Sequence, residues 1–297
     1  MYFVANIIFT EYLGEKNLSI ISPCCEGGRC VVMMHLNNPF QSISAYCINK
    51  SPESLGGLGD YYYLCIVKQL LPSFSDIKKS LLVYGIAYFA LLMLVLGLQY
   101  VYPKTELHMM VNSYHTGIQD TFFKYYSMMA EWPLYVLALL PLFWKKIGMT
   151  VFFALSELTG GAVLQILKHL ISYDRPISVF ESHPDMVLPL VQGVNMHHSN
   201  SFPSGHASTF FVFCTCCAII LAYHYHVKSN HVNHKRWLLI NLSMVVLFIM
   251  AALGAYSRVY LSQHFLSDVC MGSIIGFISP CLIYYLGKDK ILKLNKE

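Results

Sequence analysis

The sequence predicts an all-α, polytopic membrane protein, and three observations carry that prediction. Of its 297 residues, 56% are hydrophobic and only 12% are charged, whereas a soluble domain carries about a quarter charged residues. Apolar stretches of about 20 residues recur from Leu81 onward, long enough to cross a bilayer as helices. The three tryptophans, Trp132, Trp144 and Trp237, fall at the ends of those stretches, where amphipathic rings settle at the membrane boundary. The net charge of +4 is small and dispersed, which argues against a nucleic-acid partner.

Residues 1–75 read as a separate N-terminal segment, cytoplasmic or interfacial, and residues 76–297 as the helical domain. The first segment holds Cys24, Cys25, Cys30, Cys47 and Cys65, paired glycines and no run of span length. Its opening, MYFVANIIFTEYLGEKN, lacks a basic stretch and makes a poor signal peptide. The cysteines of CCEGGRC have neither the spacing nor the second cluster of a metal site, so neither metal nor cofactor is expected. The segment reads as partly disordered or as an over-long start, with Met33 or Met34 as the true initiator. Native peptides preceding Met33 would exclude the second reading. Tyr61–Ser80 resembles an amphipathic lead-in to the first span.

Six spans are expected: Leu81–Val101, Tyr125–Trp144, Ile147–Ile171, His206–Tyr225, Trp237–Tyr256 and His264–Leu286. One side of this arrangement collects Lys78, Lys79, Lys145, Lys146, Lys228, Lys235, Arg236, Lys288, Lys290, Lys293 and Lys296. The other has only Lys104, Lys124, Lys168, Arg175 and Arg258. The positive-inside rule makes the first side cytoplasmic, with both termini inside. Lys168, Arg175 and Arg258 then lie at span ends on the outer face. Cations there call for an anion.

Three short stretches on that face carry the chemistry. Around SRVYLSQHFLSD (Ser257–Asp268), Gly254 and two serines suggest a break between helices, with a new helix starting around His264. His264 and Asp268 are four apart and share a helix face. A carboxylate one turn along holds one imidazole nitrogen and leaves the other free to attack. Arg258 brings a fixed fork of donors suited to phosphate. In KHLISYDRP, Lys168 and Arg175 are two helical turns apart and share a side if the helix persists, until Pro176 stops it. In SFPSGHAS, Ser201 or Ser204 caps a helix, Gly205 admits a close approach to the backbone, and free N–H groups favour an anion. His206 stands where it can protonate a departing oxygen.

Taken together, Lys168-x6-Arg175-Pro176, Pro203-Ser204-Gly205-His206 and Ser257-Arg258-x5-His264-x3-Asp268 resemble the motifs of the type 2 phosphatidic acid phosphatase (PAP2) superfamily. Every motif position is present, and the resemblance spans residues 81–286. It implies a six-transmembrane-helix bundle of PAP2 type and a metal-independent phosphoric ester hydrolase. It further implies His264 as nucleophile, passing through a phosphohistidine, Asp268 as its orienting partner, and His206 as general acid and then base. Lys168, Arg175, Ser204, Gly205 and Arg258 would hold the phosphoryl oxygens. The expected substrate is a lipid phosphate or diphosphate, with lipid A and undecaprenyl pyrophosphate as leading choices. The expected site is the periplasmic face of a bacterial inner membrane, with no protein partner indicated. A lipid phosphotransferase and a vanadate-dependent haloperoxidase are the alternatives that the same motifs allow.

Other residues read as structural. Glu157 shares a stripe with Lys168 and is expected to hydrogen-bond into the bundle near Gly160 and Gly161. Glu131, Tyr125 and Tyr126 are weaker candidates for the substrate entrance. His183, His197 and His198 lack metal-site spacing, and His224, His226, His231 and His234 fall on the opposite face. Cys214, Cys216, Cys217, Cys270 and Cys281 lie within spans and act as small apolar residues.

Overall fold

The computed structural model describes residues 18–26, 29–36, 46–48, 74–131, 147–183, 185–228 and 234–293. The chain divides into two compact units, Met1–Leu71 and Pro72–Glu297.

The first unit contains an antiparallel sheet of three strands in the order β1 (Leu18–Glu26), β2 (Arg29–Leu36) and β3 (Tyr46–Ile48). Leu18 pairs with Leu36 and Glu26 with Arg29, with a register shift between Ile21 and Cys24. The span-based reading did not anticipate this sheet. Its signal is two β-prone runs separated by Gly27–Gly28, a hairpin pattern. Residues 61–73 of the proposed interfacial lead-in lie outside the described residues. From Phe74 the chain is already helical.

The regular structure of the second unit is entirely helical among its described residues. In order it has α1 (Phe74–Val101), α2 (Lys104–Val111), α3 (Gly117–Met128), α4 (Ile147–Leu170), α5 (Pro176–Glu181), α6 (Gly205–Lys228), α7 (His234–Tyr260) and α8 (Leu266–Lys293). Five of these, α1, α4, α6, α7 and α8, are long and apolar enough to cross a membrane, which makes this a multi-pass membrane protein. They match the first and third to sixth expected spans to within a few residues. The second span, Tyr125–Trp144, fares differently. Helix α3 starts earlier, at Gly117, because Thr116 caps it by accepting from Gln119 N–H at 3.3 Å. It ends at Met128, and a turn at 129–130 interrupts the expected span. Residues 132–146, with Trp132 and Trp144, lie outside the described residues.

Helix α6 is the hub. It packs against α8, α7, α4 and α1, and Val212, Cys216, Ala218 and Ala222 along it are fully buried. Helix α1 is the reverse case, with Leu82, Ile86, Met93 and Leu94 all exposed, as lipid-facing residues are. The α6–α8 seam is the tightest. A Cβ on Gly272 would sit 2.3 Å from the Ser204 carbonyl oxygen, and one on Gly276 would sit 2.4 Å from that of Ser208. Two glycines four apart thus let the α8 backbone touch α6. This seam fixes where the N-terminal ends of both helices stand, and the candidate site is built there.

Candidate active site

Four span ends meet at one end of the bundle: the C-termini of α4 and α7 and the N-termini of α6 and α8. Backbone hydrogen bonds tie the three motif stretches together. Arg175 N–H donates to the His198 carbonyl and Ser201 N–H to that of Tyr173, each at 2.9 Å, joining the first stretch to the second. Ser204 N–H donates to the Asp268 carbonyl at 3.0 Å, joining the second to the third. Arg175 Nη1 donates to the backbone oxygen and to Oε1 of Gln263, both at 3.2 Å, which closes the triangle. Electrostatics shows the same convergence, since His206 interacts with Arg258, His264, Arg175 and Lys168 together.

The local structure differs from the expected one in several places. Gly254 does not break a helix; it lies inside α7, where the Phe210 ring occupies the space of a Cβ at 2.3 Å. Helix α7 therefore runs through Ser257 and Arg258 to Tyr260. The N–H groups of Gln263 and His264 both return to the Arg258 carbonyl, at 2.9 and 3.1 Å, so the turn pins His264 directly onto Arg258. Ser262 within this turn adopts φ 53°, uncommon for a residue with a Cβ. Its hydroxyl accepts from Asn112 Nδ2 at 2.9 Å and donates to the Pro189 carbonyl at 2.8 Å, which holds the turn in place. His264 precedes α8 rather than starting it.

The first stretch departs too. Helix α4 ends at Leu170, so Lys168 and Arg175 do not share a continuous helix face. Arg175 instead occupies the N-cap position of the short helix α5 without a capping side-chain bond, and Pro176 starts that helix rather than stopping α4. Ser201 is not a cap either. Its hydroxyl donates to Asp268 Oδ2 at 2.5 Å. Ser204 stands at the start of α6, with Ala207 N–H 3.5 Å from its hydroxyl.

Asp268 is completely buried and held on all sides. Besides Ser201, Phe265 N–H donates to Oδ2 at 2.9 Å and Ser267 Oγ to Oδ1 at 3.1 Å. His264 Nδ1 faces Oδ2 at 3.7 Å, too long for a hydrogen bond but in range of an ion pair should the ring become positive. Burial lowers the His264 imidazole from 6.5 to about 4, Arg175 and Arg258 push the same way, and Asp268 opposes them. The ring is therefore neutral at pH 7. Arg175 and Arg258 are 9% and 8% exposed, and neither forms an ion pair among the described residues. Arg258 Nε has no hydrogen-bond partner there at all. Burial pulls the Arg175 guanidinium down, with Asp268 partly offsetting it. Two buried guanidinium groups without counter-ions are costly unless an anion arrives. Lys168, Gly205 and His206 are only half-buried, so this side is open.

Other candidates resolve into structural roles. Glu157 Oε1 accepts from Thr209 Oγ1 of α6 at 2.7 Å. Tyr126 stacks on Phe210 and donates to the Met250 carbonyl at 2.9 Å. Glu131 lies within electrostatic reach of Arg258. His183 bonds to the Val179 carbonyl at 2.9 Å, and His198 stands 3.1 Å from Ser178 Oγ. Cys214, Cys216 and Cys270 are buried free thiols.

The sequence reading missed Ser201 as the carboxylate's partner, Gln263 as the anchor of Arg175, and the whole of α2. It also passed over Gly272-x3-Gly276, a pattern that marks close helix approach.

Fold and site define a multi-pass membrane protein with buried cationic side chains and two imidazoles gathered at one end of its bundle. The PAP2 superfamily model matches residues 149–292, the part of the chain that carries every motif residue described above. Similar solved structures include Aquifex aeolicus LpxE, at 23% identity and a TM-score of 0.46, covering 60% of this chain and 92% of that one. Another is a transmembrane PAP2-type phosphatidylglycerolphosphate phosphatase from Bacillus subtilis, at 18% identity and a TM-score of 0.46, covering 72% and 97%. No curated protein matches the chain.

Proposed function

We propose that this protein is a membrane lipid phosphatase that removes phosphate from a phosphate monoester or diphosphate of an amphiphilic lipid. The observation that carries this reading is the electrostatic coupling of His206 to Lys168, Arg175, Arg258 and His264, beside two buried guanidinium groups that form no ion pair among the described residues. A phosphoryl group is a tetrahedral anion, and its transfer is mostly a matter of positioning and charge stabilisation.

His264 is the nucleophile. Its Nδ1 faces Asp268, which leaves the Nε2 lone pair for phosphorus. The P–N bond forms as the P–O bond to the lipid breaks, and a protonated His206 gives its proton to the departing oxygen. Asp268 stabilises the positive ring, and the 3.7 Å contact is expected to tighten at that point. Water then attacks phosphorus, His206 takes its proton, and the P–N electron pair returns to His264. Lys168, Arg175, Arg258, Ser204 and the Gly205 N–H bind the non-bridging oxygens throughout. These fixed charges supply the stabilisation that Mg²⁺ gives other phosphoryl-transfer enzymes, so EDTA is expected to leave the rate intact.

Lipid A and undecaprenyl pyrophosphate are the substrates we favour, at the periplasmic face of a bacterial inner membrane. The lysine and arginine distribution supports that orientation. The test is phosphate release from a panel of those two lipids, phosphatidylglycerophosphate and phosphatidic acid, with an acceptor lipid present and absent. Release into water by the wild type and none by His264→Ala is the expected result. Product appearing only on the added acceptor would instead identify a phosphotransferase.

A further inference from the structure

Lys104 belongs to none of the motifs, yet the fold brings it to the pocket. It opens α2, and its Nζ stands 3.9 Å from the centroid of the Phe265 ring and 5.5 Å from that of Tyr173. Both rings come from the strands of backbone that build the site. Phe265 follows the proposed nucleophile, and its N–H holds the Asp268 carboxylate. Tyr173 lies two residues before Arg175, and its carbonyl receives Ser201 N–H. The ammonium interacts electrostatically with Asp268 and Asp174, but it enters no ion pair among the described residues.

A lysine just past a membrane span commonly snorkels into water. Two features set Lys104 apart. Its head lies over aromatic faces, which hold a cation without neutralising it. Its helix is also fixed at several points. His108 of α2 is 1% exposed, with its ring 5.2 Å from Phe265 and 5.7 Å from Phe180. Past it, Tyr256 OH donates to the Val111 carbonyl at 2.8 Å, and Asn112 reaches Ser262. The contrast with the inner cations sets the role. Arg175 and Arg258 are buried, whereas Lys104 is exposed.

We propose that Lys104 binds a second anionic group of the substrate headgroup, one not held by the inner arginines, and so favours a lipid diphosphate over a monophosphate. This deepens the phosphatase reading and rests on it for the identity of the first group. Lys104 takes no part in bond making; it is a specificity residue.

The test uses the full chain in detergent, with inorganic pyrophosphate and inorganic phosphate as calorimetric probes. The wild type is expected to bind pyrophosphate more tightly. Lys104→Met should shrink that preference about two- to fivefold, the order of one exposed ion contact, and Lys104→Arg should keep most of it. An unchanged preference in Lys104→Met, or an equal loss of both anions, overturns the proposal. Matching kinetics on a polyprenyl diphosphate and its monophosphate should show the same change in the ratio of kcat/KM. A wild type that prefers pyrophosphate but releases no phosphate from any lipid would uphold this anion site and sink the phosphatase reading.

Discussion

The two sides of the pocket are built differently. On one side Arg175, Arg258, His264 and Asp268 are buried, and hydrogen bonds from the turn at 261–264, from Ser201 and from Gln263 fix them. On the other, Lys168, Gly205 and His206 are half-buried, and Lys104 is exposed. The first side has its geometry before any substrate arrives, which is what a nucleophile and its charge clamp require. The second side is the more exposed one, which suits the entry and proton transfer proposed for it.

The largest effects should come from the fixed side. Gly272→Leu forces a side chain into the Ser204 carbonyl, which is backbone and cannot swing away. Overpacking of this kind costs about 1–3 kcal/mol or more, and it displaces the start of α6, so melting temperature and phosphate release should fall together. Gly161→Ala provides the contrast, since a Cβ there meets nothing within 4 Å. It should be neutral or stabilising by up to about 1 kcal/mol, read as an equal or higher melting temperature.

On the open side, His206→Ala should slow release about 10²- to 10⁴-fold from substrates with a poor leaving group. With a nitrophenyl leaving group, which needs no proton, the loss should be much smaller. Equal losses on both would remove His206 from the acid role.

A smaller effect separates the sides by pH. Because His264 is lowered to about 4, its neutral, attacking form persists well below pH 6.5. The acid limb of kcat/KM assigned to the nucleophile should therefore fall near pH 4; a limb near 6.5 would mean that the ring is not buried as described. His108 is likewise lowered by burial to about 4. Above pH 6.5 neither folded nor unfolded chain protonates it, so it contributes nothing there. As pH falls from 6.5 towards 4 the unfolded chain takes the proton first, and stability drops by up to about 3 kcal/mol. His108→Leu should remove that share of the acid sensitivity, measured as the change in melting temperature between pH 7 and pH 4.5.

What the sequence made legible follows from the same contrast. Lys168, Arg175, His206, Arg258, His264 and Asp268 stand out because charged groups are rare in an apolar chain, and short motifs fix their spacing. The span pattern was legible where one helix crosses without interruption. Tertiary contacts decided the rest. Gly254 looks like a breaker until Phe210 is seen to need its missing side chain, and Ser201 looks like a cap until Asp268 claims it. Helix α2 carries no motif, so Lys104 and His108 acquire meaning only from what they pack against. The sheet of the first unit was missed for a different reason: hydropathy windows set for spans pass over short strands.

The central claim is that His264 forms a bond to phosphorus, and the most direct measurement is to trap that intermediate. Acid-labile, base-stable phosphate should accumulate on the wild-type chain within one turnover of a ³²P-labelled lipid substrate, mapping by mass spectrometry to His264 and absent from His264→Ala. Turnover with no labelled histidine, or a label on another residue, would contradict the account.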